Sequence, residues 1–529
     1  MEDFYDIIVV GSGASGAVVS HYLSEKGLRV CCIEKGEEIK TNKMPSNFFN
    51  WEFHKRREFS FNPNIRSNDS DYSIDCDESI IDIANFNGVG GSTALFSAHY
   101  PRFHPSDFKV KSNDNVAYDW PLSYEDLVPH YVENEKYLNV SGLPGDPCYP
   151  DFMEHLKNPI DIGECGDRIV KAFKELNWHY WPSYSAILNF DKDDRKGCTN
   201  IGLCNTGCPT GSKSSADVTF ISDAIKYGLV LLKNTTVTEV VTKNGVCVGV
   251  LCIDKSGKKF KLNSKKVVLA SNAIGSLRIL WNSSKKNDFL ANKSNQIGKN
   301  FMIHPLGYVE GYLPGCKDAN IGPQGSWLAS HEFYDTDKNR GFIRGFSMHF
   351  LKNIGPSELC FNSILRKKVK DSHDILSYVK ERISNTIGIA IICEDLPISS
   401  NRIEMTNRID KDSLPIPKVI YSLDANTKKM MSFGMSKAKL LLKQSGAKDI
   451  FGSGPVRFAG WHLTGTTRMG DNPSDSVVNK FGESHDIKNL FIADGGIFTT
   501  SSGVNPASTI QAVARHIAEN IYVNFKKTF

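Results

Sequence analysis

A histidine in a run of glycine and threonine is the first candidate for chemistry in this sequence. The run reads GWHLTGTTRMG over residues 460–470 and contains His462. A turn of this composition brings backbone amides close to a bulky group. An imidazole with an ordinary pKa near ~6.5 could act there as a base at neutral pH. The residue types alone are compatible with either chemistry or packing for His462.

Three cysteines form the second candidate. The segment KGCTNIGLCNTGCPTGSK has the pattern C-x5-C-x3-C-P, with its cysteines at Cys198, Cys204 and Cys208. An iron–sulfur cluster would use three thiolates in one loop, although the C-x2-C pairs of common cluster motifs are absent. A zinc site would need a fourth ligand, and the sequence places no obvious one nearby. The third alternative is a loop in which the cysteines are small buried residues or a redox pair.

A glycine-rich turn near the N-terminus predicts a dinucleotide-binding unit. It spells G-x-G-x-x-G, with glycines at Gly11, Gly13 and Gly16. An apolar run over 7–10 precedes it, a helix pattern follows, and a second apolar run over 28–33 ends in Glu34. Small residues let the backbone reach a pyrophosphate, the helix start offers unpaired N–H groups, and the acid can accept a ribose hydroxyl. This motif alone does not separate FAD from NAD.

The composition argues against several classes of protein. The 529 residues carry a formal charge of +4, from 63 basic and 59 acidic side chains, which is too small to indicate a nucleic-acid partner. No apolar run reaches about 18 residues, so no transmembrane segment is predicted. The N-terminal sequence lacks the pattern of a secretory signal. Thirteen cysteines, an odd number, favour a reducing compartment over a disulfide framework, and a cytoplasmic location is expected.

Four further segments carry a resemblance to a known family. They read NFNGVGGSTALFSAHYPRF (85–103), WPLSYEDLVPHYVENEKYLNVSG (120–142), KKVVLASNAIGSLRILWNSS (265–284) and NLFIADGGIFTTSSGVNPASTIQAVARHIAENI (489–521). Together with the N-terminal turn they resemble the glucose–methanol–choline (GMC) family of FAD-dependent oxidoreductases. The resemblance runs from the first residues to the last thirty and is thinnest between about 306 and 395. It implies FAD, and not NAD, as the cofactor.

The resemblance implies cofactor contacts residue by residue. The three glycines of the first turn would face the pyrophosphate, and Glu34 the adenosine ribose. A second cluster would lie along the pyrophosphate and isoalloxazine, with the members Gly88, Gly90, Gly91, Ser92 and Thr93. Val237 matches the position at the adenine, and Asp494 with Gly495 marks a second strand that touches the cofactor. Several relatives attach the flavin to a histidine where this chain has Leu95, so non-covalently bound FAD is expected.

The same resemblance pairs His462 with Asn505, which lies 43 residues later (505 minus 462). Both would lie on the substrate side of the isoalloxazine. The implied role of His462 is to remove the hydroxyl proton while a hydride passes from carbon to flavin N5. Asn505 would hold the substrate oxygen by a hydrogen bond. His304 resembles a family position with mainly structural meaning, and His99 and His485 are expected to be structural or surface residues.

These assignments predict an FAD-dependent alcohol or sugar dehydrogenase or oxidase that converts a CH–OH group to a carbonyl. The substrate would be sugar-like or another polyol or alcohol, by analogy with relatives that share the HLTGTTRMG and WPLSYEDL segments. The electron acceptor, whether oxygen, a quinone or a protein, is not indicated. Two other functions stay open. One is an electron-transferring subunit in which the three cysteines hold an iron–sulfur cluster, as in large subunits of some sugar dehydrogenases of the family. The other is an FAD-containing lyase without net redox change.

The expected fold is α/β, with a Rossmann-like FAD-binding domain and a smaller α+β substrate domain built on an antiparallel sheet. The FAD-binding domain is discontinuous and covers 1–145, 215–305 and 455–529. The substrate domain takes 146–214, which contains the cysteine loop, and 306–454. Alternating residues over 398–424 predict strands that join 306–395 in one antiparallel sheet over the flavin.

Overall fold

Fifteen strands form three sheets in the part of the chain that the computed structural model describes, residues 4–284, 287–369 and 371–528. The strands are β1 (Phe4–Val10), β2 (Val30–Ile33), β3 (Asp75–Ser79), β4 (Val230–Leu232), β5 (Thr235–Lys243), β6 (Val246–Asp254), β7 (Lys259–Leu269), β8 (Leu306–Tyr312), β9 (Ala329–Ser330), β10 (Phe346–Leu351), β11 (Thr386–Cys393), β12 (Arg402–Ile409), β13 (Pro415–Tyr421), β14 (Lys448–Ser453) and β15 (Leu490–Ile492). The α-helices are α1 (Ala14–Glu25), α2 (Trp51–Lys55), α3 (Pro63–Arg66), α4 (Val110–Asp114), α5 (Tyr124–Leu138), α6 (Gly163–Leu176), α7 (Ser222–Lys226), α8 (Asn272–Asn282), α9 (Pro356–Leu365), α10 (Ser372–Arg382), α11 (Ala425–Gln444) and α12 (Ala507–Thr528).

The apolar runs near the N-terminus form the centre of a seven-stranded sheet. Its order is β4-β2-β1-β7-β6-β5, and β15 also pairs with β7. β1 runs parallel to β2 and β7, with Ile7 opposite Val30 and Lys266. Ile7, Ile8 and Val9 are fully buried, as expected for a parallel strand that is covered on both faces. The predicted Rossmann-like unit is confirmed.

The turn from β1 into α1 depends on two close approaches of the backbone. Gly11 has a φ of +99°, and a Cβ there would lie 2.6 Å from the carbonyl oxygen of Ala270. A Cβ on Gly16 would lie 1.9 Å from the carbonyl oxygen of Gly11. Only glycine fits either position. Because no side chain caps the N-terminus of α1, the first N–H groups of this helix remain available to a ligand.

A second, five-stranded sheet has the order β14-β8-β11-β10-β9 and is antiparallel throughout. Its central strand β11 is buried along its whole length, with Ile389 between Val309 and Phe350 of the neighbouring strands. α11 packs directly on it, since a Cβ on Gly434 would lie 2.7 Å from Ile391. The expected antiparallel sheet beside the Rossmann-like unit is therefore present.

The prediction that 398–424 joins this sheet is wrong. β12 and β13 pair with each other, and the free edge of β13 pairs in parallel with β3, which makes a separate three-stranded sheet. The segment is anchored on α8, where Arg278 donates to the carbonyl of Pro415 at 2.9 Å and forms an ion pair with Asp410. Asp412 forms an ion pair with Lys35. These contacts place the hairpin beside the first sheet.

One disulfide joins Cys165 of α6 to Cys316, with the two Cα atoms 5.5 Å apart. No second disulfide is present in the residues that the structure describes. No local pattern in the sequence predicts this bond, because its partners are 151 residues apart. None of the helices in the described ranges combines the length and the hydropathy that a membrane-spanning segment needs.

Candidate active site

A cavity of about 200 Å³ opens where β1 and β2 end. In parallel sheets this edge is the usual place for a ligand. Nine of the predicted cofactor residues line it, namely Gly11, Gly13, Glu34, Gly91, Ser92, Thr93, Val237, Asp494 and Gly495. His462 lines the same cavity. The structure thus brings segments from both ends and the middle of the chain to one place.

Three of the predicted glycines, Gly16, Gly88 and Gly90, are not among the residues that line the cavity. Gly16 packs on the Gly11 backbone, as described above. A Cβ on Gly88 would lie 2.7 Å from the ring of Phe86. Gly90 has a φ of +88°, and a Cβ there would lie 2.9 Å from Asp217. The lack of a side chain at each of these positions lets the lining loops come together, and their contact with the cofactor stays a prediction.

Several polar lining residues were not singled out from the sequence. They are Ser15, Lys35, Asn85, Asn87, Thr236, Ser271, Asn272 and Arg278. Ser271 and Asn272 lie just beyond the carboxyl end of β7, as Glu34 directly follows β2. That position after a parallel strand is the signal that could have found them.

Glu34 is fixed by short hydrogen bonds. One carboxylate oxygen accepts from the Ser12 N–H at 3.0 Å and from the Ser12 hydroxyl at 2.7 Å, and the other accepts from the Gly36 N–H at 3.0 Å. Burial raises the pKa of Glu34, while these bonds oppose the shift. A carboxylate has about four lone-pair positions, so the three bonds leave an acceptor for a ligand hydroxyl.

A second buried carboxyl group, that of Asp494, also lines the cavity. Burial raises its pKa to about 6, and hydrogen bonds from Ser276 and Gly496 partly oppose this shift. The Ser276 hydroxyl lies at 2.6 Å and the Gly496 N–H at 2.9 Å. The carboxyl thereby orders the turn that carries Gly495 along the cavity.

These features fit a dinucleotide such as FAD. Ala14 and Ser15, at the uncapped start of α1, line the cavity, where helix N–H groups and the helix dipole favour a phosphate. The nearest protein atom to a Cβ on Gly13 would be 3.8 Å away, so the open side of Gly13 faces the cavity. Glu34 supplies an acceptor suited to a ribose hydroxyl.

The turn that carries His462 is held by its threonines and by a glycine. The Thr464 hydroxyl donates to the Met302 carbonyl at 3.2 Å, and the Thr466 hydroxyl donates to the Ala273 carbonyl at 2.7 Å. Gly465 has a φ of +94°, and a Cβ there would lie 2.1 Å from the Asn300 carbonyl oxygen. The threonines and the glycine of this run therefore form a turn that packs closely against residues 300–302 and against Ala273.

A chain of hydrogen bonds fixes the tautomer of His462. His304 Nε2 lies 2.8 Å from the carbonyl oxygens of both Ser501 and Ser502, which only accept, so this nitrogen carries the proton. The Nδ1 atom of the neutral His304 ring is then an acceptor, and it lies 2.9 Å from His462 Nδ1. His462 therefore donates from Nδ1, and its Nε2 is an unprotonated acceptor.

Asn505 lies at the free nitrogen of His462, with its Nδ2 3.3 Å from His462 Nε2. Its Oδ1 is buried and has no hydrogen-bond partner among the residues described. A donor and an acceptor beside an unprotonated imidazole can together orient a hydroxyl group. The structure thus brings the two predicted catalytic residues together.

From the sequence, His304 was expected to have a mainly structural role. In the structure His304 contacts His462 directly. Its backbone has a φ of +52°, in the left-handed region that non-glycine residues rarely adopt. Burial lowers its pKa to about 4. His304 is 158 residues from His462 (462 minus 304), and a histidine before proline carries no local signal for such a contact.

The surroundings keep His462 neutral. Burial lowers its pKa well below the ordinary value, and the nearby His304 and His99 lower it further. His99 is itself buried, with a pKa lowered to about 4 by burial, and its Nδ1 lies 3.1 Å from His349 Nδ1. The expectation that His99 is a structural residue agrees with these contacts.

The cysteine loop is tied by Lys213 to the segment that directly follows the cavity-lining residue Thr93. Lys213 is 2% exposed, and its ammonium donates to the carbonyls of Ala94, Phe96 and Cys204 at 2.8, 3.0 and 2.7 Å. Cys208 lies beside this lysine and accepts from its backbone N–H at 3.5 Å. Among the described residues the sulfurs of Cys198, Cys204 and Cys208 do not form a group within 4.8 Å of one another. In this part of the chain the spacing offers no three-thiolate site for a single metal ion.

Sequence comparisons place the chain among oxidoreductases. Two profiles described as GMC oxidoreductase match residues 5–306 and 397–514. The 2-methyl-1,2-propanediol dehydrogenase of Mycolicibacterium austroafricanum is 34% identical over 532 residues, which cover 99% of the chain and 96% of that relative. The fructose dehydrogenase large subunit of Gluconobacter japonicus is 25% identical, with 99% and 98% covered.

Solved structures show the same fold at low sequence identity. The formate oxidase of Aspergillus oryzae RIB40 superposes with a TM-score of 0.71 at 14% identity, over the whole of both chains. Pyridoxine 4-oxidase from Mesorbium loti superposes with a TM-score of 0.66 at 14% identity, over 98% of this chain and 99% of that one.

Proposed function

The chain belongs to the GMC oxidoreductase family, and from this membership we propose that it oxidises a CH–OH group of a small diol or a related polyhydroxylated alcohol. Enzymes of this family are FAD-dependent oxidoreductases, and the chain is one of them. The diol is proposed because the 34% identical relative that spans nearly the whole chain is a 2-methyl-1,2-propanediol dehydrogenase. The fructose dehydrogenase large subunit supports the wider class of polyhydroxylated substrates.

The observation that carries the proposal is the fixed tautomer of His462. The carbonyls of Ser501 and Ser502 hold the proton on His304 Nε2, and His304 in turn holds the proton of His462 on Nδ1. His462 Nε2 is therefore unprotonated, and a substrate hydroxyl would take the place of Asn505 Nδ2, which lies 3.3 Å from it. A base that is already neutral and oriented suits proton removal from an alcohol.

Each residue then has one task in the reaction. His462 accepts the hydroxyl proton at Nε2, and Asn505 holds the substrate oxygen so that the carbon carrying the departing hydrogen is oriented. Loss of the proton places negative charge on that oxygen, and the Asn505 amide N–H groups can stabilise it. When bound, FAD supplies the acceptor for the hydride that leaves the carbon. The product is the aldehyde or ketone.

FAD would be held by the cavity residues without a covalent bond. The start of α1 and Gly13 would hold the pyrophosphate, Glu34 the ribose, and Gly91 to Thr93 with Asp494 the remainder. At the position where relatives carry a linking histidine, Leu95 is 5% exposed and packs with Met44, Phe86 and Ala94. An aliphatic side chain offers no nucleophile. Acid precipitation should therefore release the flavin into the supernatant.

The test is reduction of the purified protein by alcohols in the absence of oxygen. 2-Methyl-1,2-propanediol and a ketohexose are offered separately, and the visible flavin bands are followed. Bleaching by the diol, with a stoichiometric carbonyl product, is the expected result. Bleaching by the sugar alone would reject the proposed diol. Substrate cleavage with the flavin bands unchanged would reject oxidation in favour of a lyase, and a brown shoulder that bleaches with reductant would indicate a cluster subunit.

A further inference from the structure

A second, much smaller cavity of about 10 Å³ shares no lining residue with the cofactor cavity. Its walls include Asp146, His179, Tyr184 and His331. This volume is close to what a single water-sized occupant needs. Two atoms in the walls, Tyr184 Oη and His331 Nε2, are buried and have no hydrogen-bond partner in the described part of the chain. Since buried polar atoms are normally paired, these two point to a polar or charged occupant.

Three potential metal ligands converge at this place. One ligand atom each from Asp146, Cys148 and His331 lies within 4.8 Å of the other two. Asp146 is 2% exposed, His331 is 7% exposed and Cys148 is partly buried. A tetrahedral zinc site with ordinary bond lengths has ligand atoms about 3.3–3.6 Å apart. A small movement of the three side chains toward one another would bring their ligand atoms to these distances.

The orientation of each side chain leaves a binding atom free. The Oδ1 atom of Asp146 accepts from the backbone N–H of Cys148 at 3.0 Å and lies 3.0 Å from His179 Nε2, which leaves Oδ2 for another partner. His331 Nδ1 lies 3.1 Å from His104 Nε2, a contact that orients the His331 ring, and His331 Nε2 has no partner among the described residues. Metal-bound histidines are usually oriented by such a second contact.

His179 supports the group without being one of its ligands. Its Nδ1 accepts from the backbone N–H of His331 at 3.0 Å, so the proton of the neutral ring is on Nε2. That Nε2 lies 3.0 Å from Asp146 Oδ1 and 3.4 Å from the Cys148 sulfur. Since the carboxylate and the sulfur meet the same nitrogen, they do not form the relay of a nucleophilic triad, in which acid and nucleophile contact opposite ring nitrogens.

We propose that Asp146, Cys148 and His331 form a binding site for a zinc ion. The set combines a thiolate, an imidazole and a carboxylate, which are the ligands zinc takes in proteins. Magnesium and calcium prefer oxygen ligands alone, so the sulfur argues against them. The carboxylate and the thiolate together carry two negative charges, which balance Zn²⁺. Asp146, His331 and the unpartnered Tyr184 hydroxyl all line the small cavity, so this hydroxyl or a water would take the fourth position.

The site would tie two distant parts of the chain together. His331 directly follows β9 at the edge of the five-stranded sheet, whereas Asp146 and Cys148 lie in the connection between α5 and α6. The imidazole of His104 stacks on Tyr334, with ring centroids 3.8 Å apart. The Tyr334 hydroxyl accepts from the Gly503 N–H at 3.1 Å. A bound ion would therefore stabilise His331 and, through the stack of His104 on Tyr334, the segment that carries Gly503 and Asn505.

The experiment uses the full chain with its flavin bound. The protein is treated with a chelator, desalted, equilibrated with Zn²⁺ and desalted again, and zinc and flavin are measured per chain. The test variant is Cys148→Ser, which removes only the sulfur ligand. The matched control is Cys360→Ser, because Cys360 is also free and partly buried but lies on α9 outside this group. Cobalt is bound to the wild-type protein in a parallel sample.

One zinc per chain is expected in the wild type and in Cys360→Ser, with a raised Tm, and none in Cys148→Ser. Cobalt should give thiolate charge-transfer bands and d–d bands to the red of the flavin. Equal zinc in Cys148→Ser, or absence of the thiolate–cobalt bands in the wild type, would overturn the proposal. The cobalt measurement needs no variant, so a folding failure of Cys148→Ser leaves the proposal open to refutation. Absence of any metal from the wild type would assign the cavity to water.

Discussion

The imidazole rings of His304 and His462 meet edge to face, with their planes at 80° and their centroids 5.0 Å apart. Their Nδ1 atoms lie 2.9 Å apart, so the contact is a hydrogen bond and not a stacking interaction. The lone pair of His304 Nδ1 thus accepts the N–H of His462 Nδ1. We infer that His304 is a positioning residue, which decides the nitrogen of His462 that faces the substrate.

His462→Ala should abolish most of the alcohol-driven flavin reduction. Removal of a positioned general base typically lowers the rate by a factor on the order of 10² to 10⁴. The measurement is the rate constant of flavin bleaching by saturating diol in anaerobic stopped flow. His54→Ala is a suitable control, because His54 lies on α2 with a half-exposed side chain paired to Glu58. An unchanged rate in His462→Ala would remove His462 from the mechanism.

The reaction should be insensitive to pH where an ordinary histidine titrates. Burial and the neighbouring histidines lower the pKa of His462 well below 6.5, so the neutral base persists as the pH falls through 6.5. The rate constant of flavin reduction should therefore be the same at pH 8 and pH 6. A base with an ordinary pKa of about 6.5 would lose roughly three quarters of its active form at pH 6. A fourfold loss over that interval would contradict the lowered pKa.

His304→Ala should slow the same step without removing the base. Because the tautomer of His462 is then no longer fixed, we expect the rate constant to fall on the order of tenfold or more, with KM little changed. Loss of one neighbour that lowers the pKa of His462 should also shift the pH dependence towards 6.5. His304→Gln keeps an amide acceptor and donor and should recover part of the rate. A merely structural role would leave the pH profile of active molecules unchanged.

Two glycine variants separate cofactor binding from folding. At Gly13 a methyl group meets no protein atom closer than 3.8 Å, so Gly13→Ala should fold but bind FAD more weakly. At Gly16 the methyl group would lie 1.9 Å from a backbone oxygen, so Gly16→Ala should destabilise the whole unit. The flavin-to-protein ratio and the Tm of the flavin-free proteins check this pair. Full flavin occupancy and affinity in Gly13→Ala would place the pyrophosphate elsewhere.

Lys213→Met should loosen the cysteine loop and the segment after Thr93 that Lys213 contacts. The substitution leaves the three carbonyls that Lys213 now contacts without a donor, and each unsatisfied buried group costs about 1–3 kcal/mol. We expect a lower free energy of unfolding in guanidinium and a lower flavin affinity. Lys171→Met provides the control, since the Lys171 side chain is 80% exposed. Equal stability of the two variants would show that the Lys213 contacts are dispensable.

Local patterns were sufficient to predict the first part of the fold. Gly11, Gly13 and Glu34 are linked by strand and helix lengths that the sequence displays, and their place at the cavity follows from short-range geometry. The two catalytic candidates were found because His462 lies in a distinctive turn and the family resemblance supplies Asn505. Each of these inferences depends on residues within one supersecondary unit or one motif.

What could not be predicted depends on contacts between distant segments. β3 has the sequence DCDES, which shows no apolar alternation, and it forms a strand because β13 offers an unpaired edge. The alternation of residues 402–421 correctly predicted strands. The pairing of β13 with β3 puts these strands in a separate sheet. The contact of His304 with His462 and the disulfide have the same cause. Tertiary partners 150 or more residues away determine them, and no window of sequence contains both sides.

The order of strands in the seven-stranded sheet bears on how the enzyme matures. β1 is the first strand of the chain, yet β15, at residues 490–492, joins the same sheet, and Asp494 closes the cavity that Gly11 opens. During synthesis on the ribosome, the N-terminal half therefore waits for almost the entire polypeptide before its ligand can be enclosed. Enclosure of the flavin therefore requires that β15 has joined the sheet, and the nascent glycine-rich unit depends on its own local stability until that strand arrives.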